Sequence, residues 1–284
     1  MDQDKRDRAY KAAAHITREQ LRRDAPDKAR VLDAVKQSDV VVVAGRYDHV
    51  ESVLEALEVP HTVIGTSDVE RVDLRPEQLL IVNCPGDVSP AAVDRIRAFV
   101  EAGGSLFTTD WALKHVLEPA FPGVLAFSKA PTPDDVVRIE VRDADDIYLQ
   151  GVLDGQDDPQ WWLEASSYPI SIVDKERVQV LITSRELGEK YGETPVAVWF
   201  RWGEGDVFHM ISHYYLQRTE LRTARHGSTA DAYFAEKGMA MPLEMREQWS
   251  DLRLADVESA KPSAAFMSNV IIEKKRRQKK GEES

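Results

Sequence analysis

The sequence predicts an α/β protein: an open parallel sheet covered by helices, extended by an antiparallel β-hairpin and flanked by helical ends. Three observations carry this. Apolar runs without alternation, at 39–44 and 79–83, read as strands covered on both faces. A capped amphipathic stretch at 89–104 joins the second run to another at 105–109, a β-loop-α-β unit whose crossover is right-handed when its strands are parallel. Beyond residue 134 the pattern changes to period two, the mark of half-covered strands.

The elements follow in order. Residues 4–36 read as two helices broken near Asp24-Ala25-Pro26, with Ile16 and Leu21 on one narrow apolar edge and Ala29, Leu32 and Val35 on another. Edges this narrow predict helices laid on the body or on a partner, outside the core. The first strand, 39–44, stops at Gly45, and Val50, Val53, Leu54 and Leu57 mark a helix leading to a second strand at 61–64. In the central unit Ser89 is the N-cap, Pro90 the first helical residue, and Gly103 a left-handed C-cap. Val93, Ile96, Phe99 and Val100 form its buried face. The first four strands are expected parallel in the order 2-1-3-4, with the loops at Arg46, Cys84 and Asp110 on one rim. That rim, at the C-terminal strand ends, is where sites gather in open parallel sheets.

A helix through Leu113, Val116 and Leu117 ends at Pro119 and Pro122. Val137, Ile139 and Val141 alternate with charged residues, and further strands are read at 161–163, 170–173 and 178–183. Apolar runs at 195–200 and 206–212 around Arg201-Trp202-Gly203-Glu204-Gly205 make a hairpin. After His213 the chain turns polar and helical, with one more helix on the body through Phe266, Val270 and Ile271. The run Lys274-Lys275-Arg276-Arg277-Gln278-Lys279-Lys280 reads as a disordered tail, dispensable for folding. The expected division is a helical segment at 1–37, the α/β domain at 38–215, a helical region at 216–273 and the basic tail at 274–284.

At 284 residues the chain can bury a large core without a disulfide or metal staple. The net charge of −12 argues against nucleic-acid binding by the body, leaving only the basic tail for it. One cysteine excludes an internal disulfide and a multi-cysteine zinc site. No apolar run reaches membrane-spanning length, and Met1-Asp2-Gln3-Asp4-Lys5 is unlike a signal peptide, so a cytoplasmic protein off the membrane is expected.

Two segments carry a family resemblance: Pro85-Gly86-Asp87 through Val100-Glu101-Ala102-Gly103-Gly104-Ser105-Leu106-Phe107, and Pro195 through Gly203-Glu204-Gly205-Asp206-Val207-Phe208 to His213. Together they resemble the class I glutamine-amidotransferase-like superfamily, particularly its trehalose-utilisation-protein-like (ThuA-like) branch, over about 39–215. The resemblance implies a flavodoxin-like open sheet. It also implies a nucleophilic cysteine on a strained turn after the fourth strand, where this chain reads Thr108-Thr109-Asp110-Trp111-Ala112, without cysteine or flanking glycine. The family histidine falls at His213, but the acidic residue two places on is replaced by Tyr215. Cys84 falls in the loop that in the family supplies oxyanion-hole amides. Hydrolysis by the family mechanism is therefore not expected. What remains is a non-hydrolytic module that binds a small ligand or protein partner, within a larger assembly and without a cofactor.

The candidate residues lie on the rim loops. Cys84 is either a nucleophile served by His213 or an inert buried thiol, and Pro85 favours the second by removing an amide donor. Arg46, Tyr47, Asp48 and His49 follow the first strand; Arg46 suits an anion and His49 a ligand or metal, while Asp48 equally suits a helix cap. Asp87, Asp110, Trp111 and His213 complete the ligand-binding set, with Asp110 either a cap or a carboxylate aimed into the crevice. His49, Asp110 and His213 have metal-ligand chemistry, but no local spacing such as His-x-x-x-His supports a metal and none is expected. The rival readings are a hydrolase using Cys84 and His213, or a sugar-processing enzyme using the strand-end polar cluster. Trp161, Trp162 and Trp199 read as packing residues, His209 as structural, and Trp202 as the most exposed of the tryptophans.

Overall fold

The computed structural model describes residues 2–282, with side chains to Gln278. Its parallel strands begin with β1 (Val40–Val43), β2 (Thr62–Ile64), β3 (Leu79–Val82) and β4 (Ser105–Thr109). Short strands follow at β5 (Leu125–Phe127), β6 (Asp135–Arg138), β7 (Glu140–Val141), β8 (Gln160–Leu163) and β9 (Ile170–Ile172). The last three are β10 (Gln179–Thr183), β11 (Pro195–Trp202) and β12 (Gly205–Met210). The helices are α1 (Gln3–Asp24), α2 (Pro26–Asp33), α3 (Val50–Ala56), α4 (Pro90–Glu101), α5 (Glu118–Ala120), α6 (Arg185–Tyr191), α7 (Ala230–Glu236) and α8 (Leu254–Glu282).

Eight strands form one sheet in the order β2-β1-β3-β4-β12-β11-β10-β7. The first four are parallel in the order read from the sequence, so the loops after β1, β3 and β4 share one rim. β12 joins β4 in parallel, and β11 turns back antiparallel against it, with Trp202 opposite Gly205. Val40–Val43, Leu79–Val82 and Ser105–Thr109 are buried throughout, as strands covered on both faces must be. Gly205 permits the close pass of this hairpin under α4. A β-carbon there would lie 2.2 Å from the Val100 carbonyl oxygen and 2.3 Å from that of Gly104. Ser89 caps α4 through the Ala92 amide, Pro90 opens it, and Gly103 (φ 113°) leaves it, all as the sequence requires.

The terminal helices depart from expectation. α1 lies against α8, and Ala9, Tyr10, Ala12, Ala13, Ala14 and Ile16 are buried in the core that the sheet forms. Alanines conceal this face in a hydropathy pattern, because they contribute little apolar signal while allowing close helix approach. α8 is one continuous helix through Pro262, buried along nearly its whole length from Leu254 to Ile272.

The basic run expected to be disordered is helical through Gln278 and docked; the side chains of Lys279 and Lys280 fall outside the described residues. Lys274 Nζ donates to the Pro76 and Gly103 carbonyls at 2.6 and 2.7 Å, and Lys275 pairs with Asp39 at 2.6 Å. Arg277 pairs with Asp206 and donates to the Tyr148 hydroxyl at 2.6 Å. The run thus crosses the N-terminal edge of the parallel strands, where carboxylates and free carbonyls supply the partners that its own sequence lacks. Truncation after Glu273 is expected to lower the melting temperature by several degrees, at about 2–4 °C per kcal/mol lost. An unchanged midpoint in calorimetry would show these contacts to be worth nothing.

Among the described residues no helix is long and apolar enough to cross a membrane.

Candidate functional site at the C-terminal strand ends

Three strand ends and one side ribbon build the site. Cys84 follows β3, Asp110 follows β4 and His213 follows β12. Glu164 comes from the end of β8, which pairs only with β6 in a separate two-stranded ribbon. The four line one cavity of about 210 Å³ with Tyr47, Trp111 and Ser166.

Asp110 sits at the apex of the turn after β4 with φ 45°, a left-handed conformation that few non-glycine residues adopt. The turn therefore holds the backbone bend expected of an elbow even though neither cysteine nor glycine marks it. Its carboxylate does not cap the next helical turn. Oδ1 accepts the Tyr168 amide at 2.8 Å, and Oδ2 lies 3.3 Å from Ser167 Oγ and 3.9 Å from Cys84 Sγ. Burial pushes the Asp110 carboxyl up to about 7, against the pull of His213 and the Tyr168 amide. Burial and then the Asp110 charge push the Cys84 thiol far above its ordinary range.

His213 is 2% exposed and stands between two carboxylates. Nδ1 is 2.7 Å from Glu164 Oε2, close but out of hydrogen-bond alignment, and Nε2 is 3.8 Å from Asp110 Oδ2. Burial alone would make the imidazole less basic, but Glu164, Asp48 and Asp110 outweigh it and raise its pKa. Ser167, Ser212 and the Glu164 amide link the ribbon to the β12 end, with Ser167 Oγ to Ser212 Oγ at 2.7 Å and Glu164 N to Ser212 Oγ at 2.9 Å. Aromatic rings form the mouth: Trp111 stacks on Tyr168 and meets the edge of Tyr47, and Phe127 stacks behind Tyr168.

Several solved structures are similar to this chain. A candidate GMP synthase component from Thermoplasma acidophilum matches over 86% of this chain and 97% of its own, with a TM-score of 0.51 and 10% identity. A cytoplasmic protein from Salmonella typhimurium LT2 matches over 82% and 98%, with a TM-score of 0.46 and 12% identity. A ThuA-like protein from Bacteroides uniformis matches over 62% and 82%, with a TM-score of 0.42 and 13% identity. No family model and no curated protein matches the chain. At such identities the likeness shows the fold alone, an α/β flavodoxin-like sheet flanked by helices.

Within this α/β frame, Cys84, Asp110, Trp111, His213 and Tyr47 line one cavity at the shared rim, and the other expected residues do not. Arg46 and His49 are exposed, and His49 Nδ1 is engaged by Glu51 at 3.1 Å. Asp87 is exposed and lies 3.3 Å from His115. Asp48 neither caps α3 nor faces the cavity. It is buried, accepting the Tyr214 and Tyr215 amides at 2.8 and 3.1 Å, and so ties the β1 loop to the chain beyond β12. Of His49, Asp110 and His213, only the last two come together; the third side chain beside them is Cys84, and the donor atoms of Cys84, Asp110 and His213 all lie within 4.8 Å of one another. Trp202 is half-buried, its Nε1 donating to Glu101 Oε1 at 3.1 Å and its ring covered by Arg177. Glu164 and Ser167 carry no local signal, because nothing marks Glu164-Ala165-Ser166-Ser167 as more than a polar loop; only the docking of the ribbon makes it part of the site.

Proposed function

We propose that this chain is an amidotransferase-like module that binds a small polar ligand at the strand-end cavity, without amide hydrolysis through its thiol. One observation supports this above the rest: the elbow position carries a buried carboxylate, and the single thiol faces that carboxylate at 3.9 Å. A neighbouring negative charge disfavours the thiolate that a nucleophile must supply. Asp110 and His213 instead present an acceptor and a donor at the floor of a small cavity, under the aromatic mouth of Tyr47 and Trp111, the mixture typical of a ligand site. A protein partner would then contact the mouth of the same cavity, and the cytoplasm remains the compartment this reading assigns.

Native mass spectrometry of the protein purified from its own cytoplasm tests the reading. The wild type is expected to retain a bound small molecule that Trp111→Ala releases while the circular dichroism stays unchanged. A wild-type mass equal to that of the bare chain, under conditions where a control binder keeps its ligand, would overturn it.

A further inference from the structure

We infer that Cys84, Asp110 and His213 form a site for a divalent transition-metal cation of the zinc class, held by Sγ, Oδ2 and Nε2. The inference deepens the reading of this cavity as a ligand site and rests on it.

The donor atoms come from three separate strand ends and all lie within 4.8 Å of one another, with each of the three side chains buried. Two of the separations are 3.9 Å (sulfur to carboxylate) and 3.8 Å (imidazole to carboxylate). Tetrahedral zinc with ordinary bond lengths would hold such pairs about 3.3–3.5 Å apart, so these two pairs close on an ion with shifts of a few tenths of an ångström, and the sulfur–imidazole pair, within 4.8 Å, with a shift of up to about 1.3 Å by side-chain rotation. One thiol, one imidazole and one carboxylate select a borderline-soft ion and disfavour magnesium or calcium, which take oxygen ligands.

The groups behind the donors point the same way. A metal-bound histidine usually directs its second ring nitrogen to a carboxylate. His213 Nδ1 has Glu164 Oε2 at 2.7 Å, within reach though not aligned for a hydrogen bond, which leaves Nε2 on the side of Asp110. Asp110 is oriented in turn by the Tyr168 amide on Oδ1, with Oδ2 on the side of the sulfur. The charges acting on Cys84 are those of Asp110, Asp48 and Glu164, all acidic. A cation at the convergence point would compensate the cluster and stabilise the thiolate. The cavity of about 210 Å³ leaves a fourth position for water or for the polar ligand proposed above.

The lone cysteine makes the test direct, since any thiolate-to-metal absorption must arise at Cys84. Untagged full-length protein, stripped with chelator and titrated with Co(II), is expected to bind one equivalent. It should show a sulfur-to-cobalt charge-transfer band together with the visible bands of tetrahedral cobalt, and Zn(II) should displace both. Glu164→Gln should weaken binding about 10- to 100-fold while keeping the spectrum, the mark of a group that positions His213. Cys84→Ser should abolish the charge-transfer band, and Asp110→Asn should weaken cobalt binding at least tenfold. Melting curves and circular dichroism establish that each variant is folded; where a variant fails to fold, the wild-type melt is read instead, whose midpoint Zn(II) is expected to raise, and an unshifted midpoint would count against the site. Absence of the charge-transfer band from folded wild type at excess cobalt would overturn the metal site. Such a protein retaining its small molecule in native mass spectrometry would leave the ligand-binding reading standing.

Discussion

Replacing Lys261 by alanine is expected to destabilise the protein by about 3 kcal/mol, the low end of the cost of breaking a buried ion pair. Lys261 is fully buried on α8. Its ammonium donates to the Gly151 carbonyl at 2.9 Å and lies 3.4 Å from Asp154 and 3.7 Å from Asp157. Lys237, at the end of α7, reaches the same two carboxylates at 2.7 and 2.5 Å, and the Tyr233 hydroxyl donates to Asp157 at 3.1 Å. This cluster pins α7 and α8 to the loop between β7 and β8. Removing Lys261 leaves Asp157 buried with one cation fewer, whereas Lys237 remains and limits the loss. Urea unfolding should show the reduced stability with an unchanged m-value. A loss under about 0.5 kcal/mol, the range of ordinary surface substitutions, would mean that the cluster does not hold the helices.

The second large effect is acid sensitivity at His209. Its ring is fully buried in the sheet, with Nδ1 2.8 Å from Thr108 Oγ1 and Nε2 without a partner. Burial lowers its pKa from the ordinary 6.5 to about 3, opposed only weakly by Thr108. The sign follows: the native state keeps the ring neutral, while the unfolded chain takes up a proton below pH 6.5. The stability present above pH 6.5 is therefore eroded as the pH falls towards 3, by about 1.4 kcal/mol per unit. Between pH 7 and pH 4.5 the wild type should lose about 2–3 kcal/mol more than His209→Asn, which carries no titrating ring. Parallel stability profiles for the two proteins in urea titrations at both pH values would contradict this.

The distance between sequence and structure has identifiable physical causes. Strands covered on both faces announce themselves as unbroken runs, so Val40–Val43 and Leu79–Val82 were legible, and with them the 2-1-3-4 order. The β11–β12 hairpin was legible because Gly203 and Gly205 mark the turn. α1 and its break before Pro26 were legible too, but the burial of α1 was not, because Ala12 and Ala13 bury without a hydropathy signal. The docking of the basic end of α8 was not legible because its partners, Asp39, Pro76, Gly103 and Asp206, lie far away in the chain. The site divides in the same way. Cys84, Asp110 and His213 follow strands whose placement could be read, whereas Glu164 arrives on a ribbon whose docking no local pattern reveals. Asp110 illustrates a third cause. Backbone conformation at the elbow is imposed by the turn between β4 and the following helical turn, and a motif defined by cysteine and glycine does not register it.

The native alkylation rate of Cys84 tests most directly whether the rim site is a binding site whose thiol is no nucleophile. Burial and the Asp110 carboxylate together hold the thiol neutral. Iodoacetamide near neutral pH is therefore expected to label native protein slowly and denatured protein rapidly, with Cys84→Ser folding normally. Fast native labelling that disappears in folded His213→Ala would contradict the account and assign Cys84 and His213 to covalent catalysis.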